Sequence, residues 1–142
     1  MNGHYEQCFP GVWRITLGTP DQLTPHFFFG GRESSRLSEK SEQPLPWPEE
    51  KIRWENRKNG FLVTLPLSAG ERLYGLGLQF GSYLQNGRRK TLRANADAPK
   101  DTGDSHAPVP FYVSTAGYGV LADTAKNVTF HCGDVKKADT VS

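Results

Sequence analysis

Apolar residues in this chain recur mostly at every second position and rarely at the three- and four-residue spacing of a helical face. Over residues 12–17, Trp13, Ile15 and Leu17 share one side and Arg14 and Thr16 the other, the period of a half-buried strand. Gly18-Thr19-Pro20-Asp21 ends that run, because Gly and Pro set backbone angles that a strand cannot continue. A second apolar run, Phe27-Phe28-Phe29, stops at Gly30-Gly31. Ile52 and Trp54 alternate with Arg53 and Glu55, and Asn59-Gly60 supplies a favoured hairpin turn before a returning strand over residues 61–65, closed by Pro66. A Gly-rich piece follows over residues 74–81, then a turn at Asn86-Gly87 and a short basic strand over residues 88–93. Phe111, Val113 and Thr115 alternate with Tyr112 and Ser114, turn at Ala116-Gly117 and return as Tyr118, Val120 and Ala122. Residues 128–132 form one more strand before a polar tail.

Many short strands punctuated by Gly, Pro and Asn-Gly turns predict an all-β fold, an antiparallel β-sandwich. The whole chain, residues 1–142, reads as a single domain. Within it, residues 32–50 shift to Ser, Glu, Lys and Pro, with Pro44, Pro46 and Pro48 at alternate positions, which predicts a mobile or extended connection. A longer polar loop begins at Asn95 and ends in the hairpin that starts at Phe111; Pro99, Gly103, Pro108 and Pro110 exclude a helix there. A hairpin behind a polar loop holds it rigid, so this stretch is the place to look for a small polar ligand.

Composition narrows the partners. The net charge of +2 gives no overall pull toward nucleic acid or an anionic membrane. No apolar run reaches the roughly 20 residues needed to span a bilayer, and residues 1–11 lack the charged-then-apolar layout of a signal peptide, so a soluble, cytoplasmic chain is expected. The two cysteines, Cys8 and Cys132, lie near opposite ends and are expected to be buried free thiols rather than a disulfide.

The candidate chemistry is sparse. Gly75, Gly77 and Gly81 do not have the spacing of a phosphate-binding loop and no helix follows them, which leaves a bulge or close packing. Arg88, Arg89, Lys90 and Arg93 have no aromatic residues interleaved and read as a solvated strand edge. No metal site or cofactor is expected: the four histidines are scattered, and the adjacent His131 and Cys132 point to opposite faces of a strand. Asp104, Ser105 and His106 are neighbours in sequence, which does not make a catalytic triad. Asn127-Val128-Thr129 matches a glycosylation acceptor. Asn95, Asp97, Asp101 and Asp104 remain, all in the polar loop. Such groups either bind sugar hydroxyls, which need directional donors and acceptors, or serve as Asx-turn residues that solvate a long loop.

Several segments together resemble a known family. Val12-Trp13-Arg14-Ile15 with Gly18-Thr19-Pro20 and Thr24-Pro25 comes first, then Glu71-Arg72-Leu73-Tyr74-Gly75-Leu76-Gly77. Asn95-Ala96-Asp97 follows, then Pro110-Phe111-Tyr112-Val113-Ser114 with Gly117-Tyr118-Gly119-Val120. In this order they resemble the N-terminal domain of family 31 glycoside hydrolases, the α-glucosidase and α-xylosidase group, most strongly over residues 71–132. The resemblance implies a galactose-mutarotase-like β-sandwich that packs on a (β/α)8 barrel carrying both catalytic aspartates of a retaining mechanism. On that reading the chain is a fragment without catalytic residues, inactive alone, and its partners are the barrel and an α-linked sugar. It further implies that Asp97, with Asn95 beside it, contributes to sugar binding. Where members often carry an acidic residue after Tyr-Gly-Leu-Gly, this chain has Leu78 and Gln79, a difference that bears on the sugar. Two other functions stay in view: a freestanding carbohydrate-binding module using Trp13, Trp47 or Trp54 as a stacking platform, and a mutarotase-like enzyme using His106.

Overall fold

The computed structural model describes residues 3–19, 44–133 and 140–141. Two compact units divide the chain, residues 1–49 and 50–142. The apolar run at Phe27 and most of the proline-rich segment, residues 32–43, lie outside the described residues. No α-helix occurs among the described residues.

In the first unit, β1 (His4–Phe9) pairs antiparallel with β2 (Val12–Thr16) around Pro10-Gly11, with Tyr5 opposite Ile15 and Gln7 opposite Trp13. The alternation over residues 12–17 thus marks a real strand, with Trp13 and Ile15 half-buried and Arg14 exposed. Its partner β1 shows no clean alternation and is invisible to a periodicity argument. Cys8 on β1 is free and only half-buried, less buried than the sequence suggested, because a two-stranded ribbon covers one face incompletely.

The second unit is the sandwich. One sheet has six strands in the order β3-β4-β11-β10-β6-β7, from β3 (Arg53–Arg57), β4 (Gly60–Pro66), β6 (Arg88–Ala94), β7 (Asp104–Ser105), β10 (Val128–Cys132) and β11 (Thr140–Val141). The other has three, β5-β8-β9, from β5 (Leu73–Gly77), β8 (Pro108–Ser114) and β9 (Gly119–Leu121). All pairs are antiparallel except β6 with the short β7. The hairpin β3–β4 turns through Lys58-Asn59, since Arg57 pairs with Gly60. Asn86-Gly87 turns as its composition requires, closed by Arg88 N–H donating to the Gln85 carbonyl at 3.0 Å.

The core lies between the sheets. Leu73, Leu76 and Tyr112 from the three-stranded sheet meet Leu92, Phe130, Cys132 and Val141 from the six-stranded one. The Tyr112 and Phe130 rings meet edge-on, centroids 6.0 Å apart. Val141, 2% exposed, shows that the polar tail ends in a core strand, inserted between β4 and β10. A short strand flanked by polar residues carries too few positions for a period to be read.

On β8 the inward residues are Tyr112 and Ser114, while Val109, Phe111 and Val113 face outward. Hydropathy alone would place them the other way round. Polar bonding decides it: the Glu71 carboxylate sits within this layer, 8% exposed, and accepts from Ser114 Oγ, Tyr118 OH and, at 2.8 Å, Ser68 N–H. A buried carboxylate needs several donors, and only the Ser114 and Tyr118 face supplies them.

Gly75 and Gly77 flank a bulge in the β5–β8 pairing that sets Leu76 at φ +69° and turns it fully into the core. A Cβ on Gly77 would stand 2.3 Å from the Ala107 carbonyl oxygen. These glycines serve a bulge and close packing, as the absence of a following helix indicated.

Candidate functional site

The polar loop is an excursion from β6 that returns beside it. It leaves at Ala94, and the backbone comes back as β7, parallel to the strand it left, with Arg93 opposite Asp104 and Ala94 opposite Ser105. The feet are fastened by Asn95 N–H donating to the Ser105 carbonyl and Thr91 N–H donating to the Thr102 carbonyl, both at 2.8 Å. Gly103 lets the return lie flat: a Cβ there would stand 2.5 Å from the Thr91 carbonyl oxygen, and its φ is +109°.

Side chains complete the fastening. Asp104, nearly buried, takes a bidentate fork from Arg93, Nε to Oδ1 and Nη2 to Oδ2, each at 3.0 Å. That guanidinium, with help from the Asn95 side chain, holds the Asp104 carboxyl below its ordinary value despite burial. Asp101 bonds Arg88 at 2.8 Å through Oδ2 and Lys90 through Oδ1. Lys90 is 1% exposed, so the basic stretch is not the solvated edge its composition suggested. β6 runs between β10 and β7, and Arg88, Lys90 and Leu92 share its inner side, where an ammonium survives only with a carboxylate beside it. The two-residue step from Lys90 to the core Leu92 was the signal for this.

Of the loop's polar candidates, Asp101 and Asp104 are therefore consumed in holding the loop. Asn95 Oδ1 accepts the Asp97 N–H at 3.1 Å, an Asx turn that bends the tip. Asp97 itself is exposed, and among the described residues none hydrogen-bonds its carboxylate. The structure thus divides the candidates: the Asp97 carboxylate has no partner among the described residues, and the others shape the loop that carries it.

The remaining candidates are not brought together. His106 is exposed, the Ser105 hydroxyl is fully buried and Asp104 is engaged by Arg93, so the adjacent trio forms no relay. His131 is half-buried and Cys132 fully buried on the opposite side of β10. Burial pushes the Cys132 thiol up to about 12. Trp13, Trp47 and Trp54 are each half-buried rather than presenting an open ring, and Trp54 belongs to a different unit from the other two. A groove of about 160 Å³ at the foot of the loop, between Ala94, Pro108, Pro110 and Val128, is well below the roughly 300 Å³ at which small-molecule sites begin.

Residues 10–131 match the family described as the glycosyl hydrolase 31 N-terminal galactose mutarotase-like domain, and the chain belongs to that family. Two curated relatives are both α-xylosidases. Alpha-xylosidase XylQ of Lactiplantibacillus pentosus is 33% identical over 133 residues, 94% of this chain and 16% of the relative. The alpha-xylosidase of Emericella nidulans is 39% identical over 67 residues, 47% of this chain and 8% of the relative. The chain therefore spans a small part of the length of both.

Proposed function

We propose that this chain is the N-terminal accessory domain of a retaining α-glycosidase, lending a loop to a sugar site that a (β/α)8 catalytic barrel completes. Asp97 accepts a hydrogen bond from a sugar hydroxyl, and Asn95 folds the turn that presents it. The observation that carries this reading is an unpartnered carboxylate at the tip of a loop whose other acidic groups are all spent on anchoring it. The two carboxylates of the hydrolysis, nucleophile and general acid, belong to the barrel, and no residue here takes either role. The family match crosses both units, which supports reading residues 1–142 as one N-terminal domain. Because both relatives are named α-xylosidases, α-xylosides are the first substrates to test.

The outer side of the three-stranded sheet supports a packing role. Val109, Phe111, Val113 and Leu121 are each at least 40% exposed there. Phe111 pairs with Leu121, Val113 with Tyr74, and Tyr74 bridges to Leu84, so the apolar strip is continuous. A strip of this kind marks an interaction site. Its occupant, on this reading, is the catalytic barrel, and the relatives are long enough to hold one, since this chain matches only 16% of XylQ.

Purified chain 1–142 tests the assignment. It should release no aryl alcohol from aryl α-xylosides and give no heat on titration with α-linked xylosyl oligosaccharides. Hydrolysis by the chain alone would overturn the accessory role, and calorimetric binding would turn the assignment toward a freestanding binding module.

A further inference from the structure

The loop over residues 95–103 has both feet on β6, but one fastening reaches it from beneath the sheet surface. The Lys90 ammonium, 1% exposed, meets both Asp101 Oδ1 and, at 3.2 Å, the Asp101 backbone carbonyl. A carboxylate alone can swing about its side-chain bonds while its backbone drifts. One donor group that holds the carboxylate and the carbonyl of the same residue fixes the backbone as well. Arg88 takes the remaining Oδ2 at 2.8 Å. Lysine has three donors and no acceptor, so a buried Lys90 is compensated only while Asp101 stays in place.

We propose that Lys90 is the positioning residue of the sugar-binding loop: by pinning Asp101 at two atoms it sets where Asp97, on the same excursion, stands relative to the substrate. The proposal rests on the reading of Asp97 given above and extends it to a residue that touches no ligand. Arg93–Asp104 fastens the returning strand and Lys90–Asp101 the residues just before it, so together they hold the limb that comes back from the tip.

Amide exchange in chain 1–142 tests the anchoring. In Lys90→Met/Asp101→Ala, which removes both charges together, the Thr91 and Asn95 amides should lose at least about tenfold protection. The Ser114 and Gln85 amides, bonded to the Tyr118 and Leu73 carbonyls, should keep theirs and report an intact fold. Unchanged protection at Thr91 and Asn95 would overturn the proposal. Should the double variant not fold, Lys90→Met/Asp101→Asn keeps both side-chain volumes, strands no buried ammonium and is expected to give the same loss.

Kinetics test the link to substrate, in the enzyme that joins this domain to its barrel. Lys90→Met/Asp101→Ala should raise KM for an aryl α-xyloside about tenfold with kcat within about twofold, and Lys90→Arg should keep KM near the parent value. With Asp97→Ala already present, the same pair of substitutions should change KM by less than about twofold. Equal effects with and without Asp97 would mean that Lys90 serves stability alone and would overturn the proposal. If Asp97→Ala by itself changed neither KM nor kcat, the sugar-binding reading would fall, and the exchange result would still decide the anchoring.

Discussion

Three side chains show how burial, not sequence chemistry, sets a residue's behaviour in this domain. Lys90 and Asp101 form an ion pair with one fully buried partner, so Asp101→Ala should destabilise the chain by about 3 kcal/mol in urea titrations, because it strands a buried ammonium. The exposed pair Arg14–Glu6 should contribute no more than about 0.5 kcal/mol, since water screens both ends. Glu71 gives a pH signature. Burial raises its carboxyl, but hydrogen bonds from Ser114, Tyr118 and Ser68 together outweigh that and hold it below its ordinary value of 4.5. A carboxyl lowered in the folded state contributes stability that is complete above pH 4.5 and lost as pH falls through the lower folded value. Glu71→Gln should therefore flatten the acid limb of stability against pH; an unchanged limb would assign that slope to other groups such as Asp104. Cys132, fully buried with its thiol pushed up to about 12, should resist alkylation at pH 8 until the chain unfolds, while Cys8 reacts first.

At the scale of elements, the strands legible in the sequence were those whose two faces differ in polarity. Residues 12–17 and 128–132 belong to this group and contain β2 and β10, while residues 61–65 were read as the strand returning from the Asn-Gly turn and lie in β4. The shortest and the glycine-interrupted elements were not legible, although the basic strand at residues 88–93 was. β7 is two residues long, β11 emerges from a polar tail, and β5 is interrupted by the glycines of its bulge. For the candidate site, the polar loop was legible in composition, but Asn95, Asp97, Asp101 and Asp104 look alike there; Asp97 was singled out only by the family resemblance, and the division of labour among the acids was not legible. That division depends on which acids the fold brings back to Lys90 and Arg93 on β6, a tertiary fact that the Lys90-to-Leu92 spacing does not carry. Two glycines separate local strain from close approach. Gly87 has φ +72° with open space around a Cβ, so Gly87→Ala should cost only about 1 kcal/mol of backbone strain. Gly103→Ala adds a collision with the Thr91 backbone and should cost clearly more, with the loss of Thr91 amide protection as its local readout. Equal costs in denaturant titrations would mean that the loop is not pressed against β6.

At the scale of the whole molecule, the domain pairs an anchored loop bearing one free carboxylate with an apolar strip across the outer side of a sheet. Alone in solution that strip should make the chain associate with rising concentration, and Phe111→Ser with Leu121→Lys should suppress this in light scattering. Association that persists unchanged in that variant would place the sticky surface elsewhere. The proposed function turns on Asp97, and one measurement tests it most directly: kcat/KM for an aryl α-xyloside, in the enzyme that would join this domain to a catalytic barrel, with and without Asp97→Ala. Losing a hydrogen bond to a charged acceptor should lower kcat/KM by about 10- to 150-fold, the equivalent of about 1.5–3 kcal/mol. An Asp97→Ala enzyme with kcat/KM equal to the parent's would contradict the account.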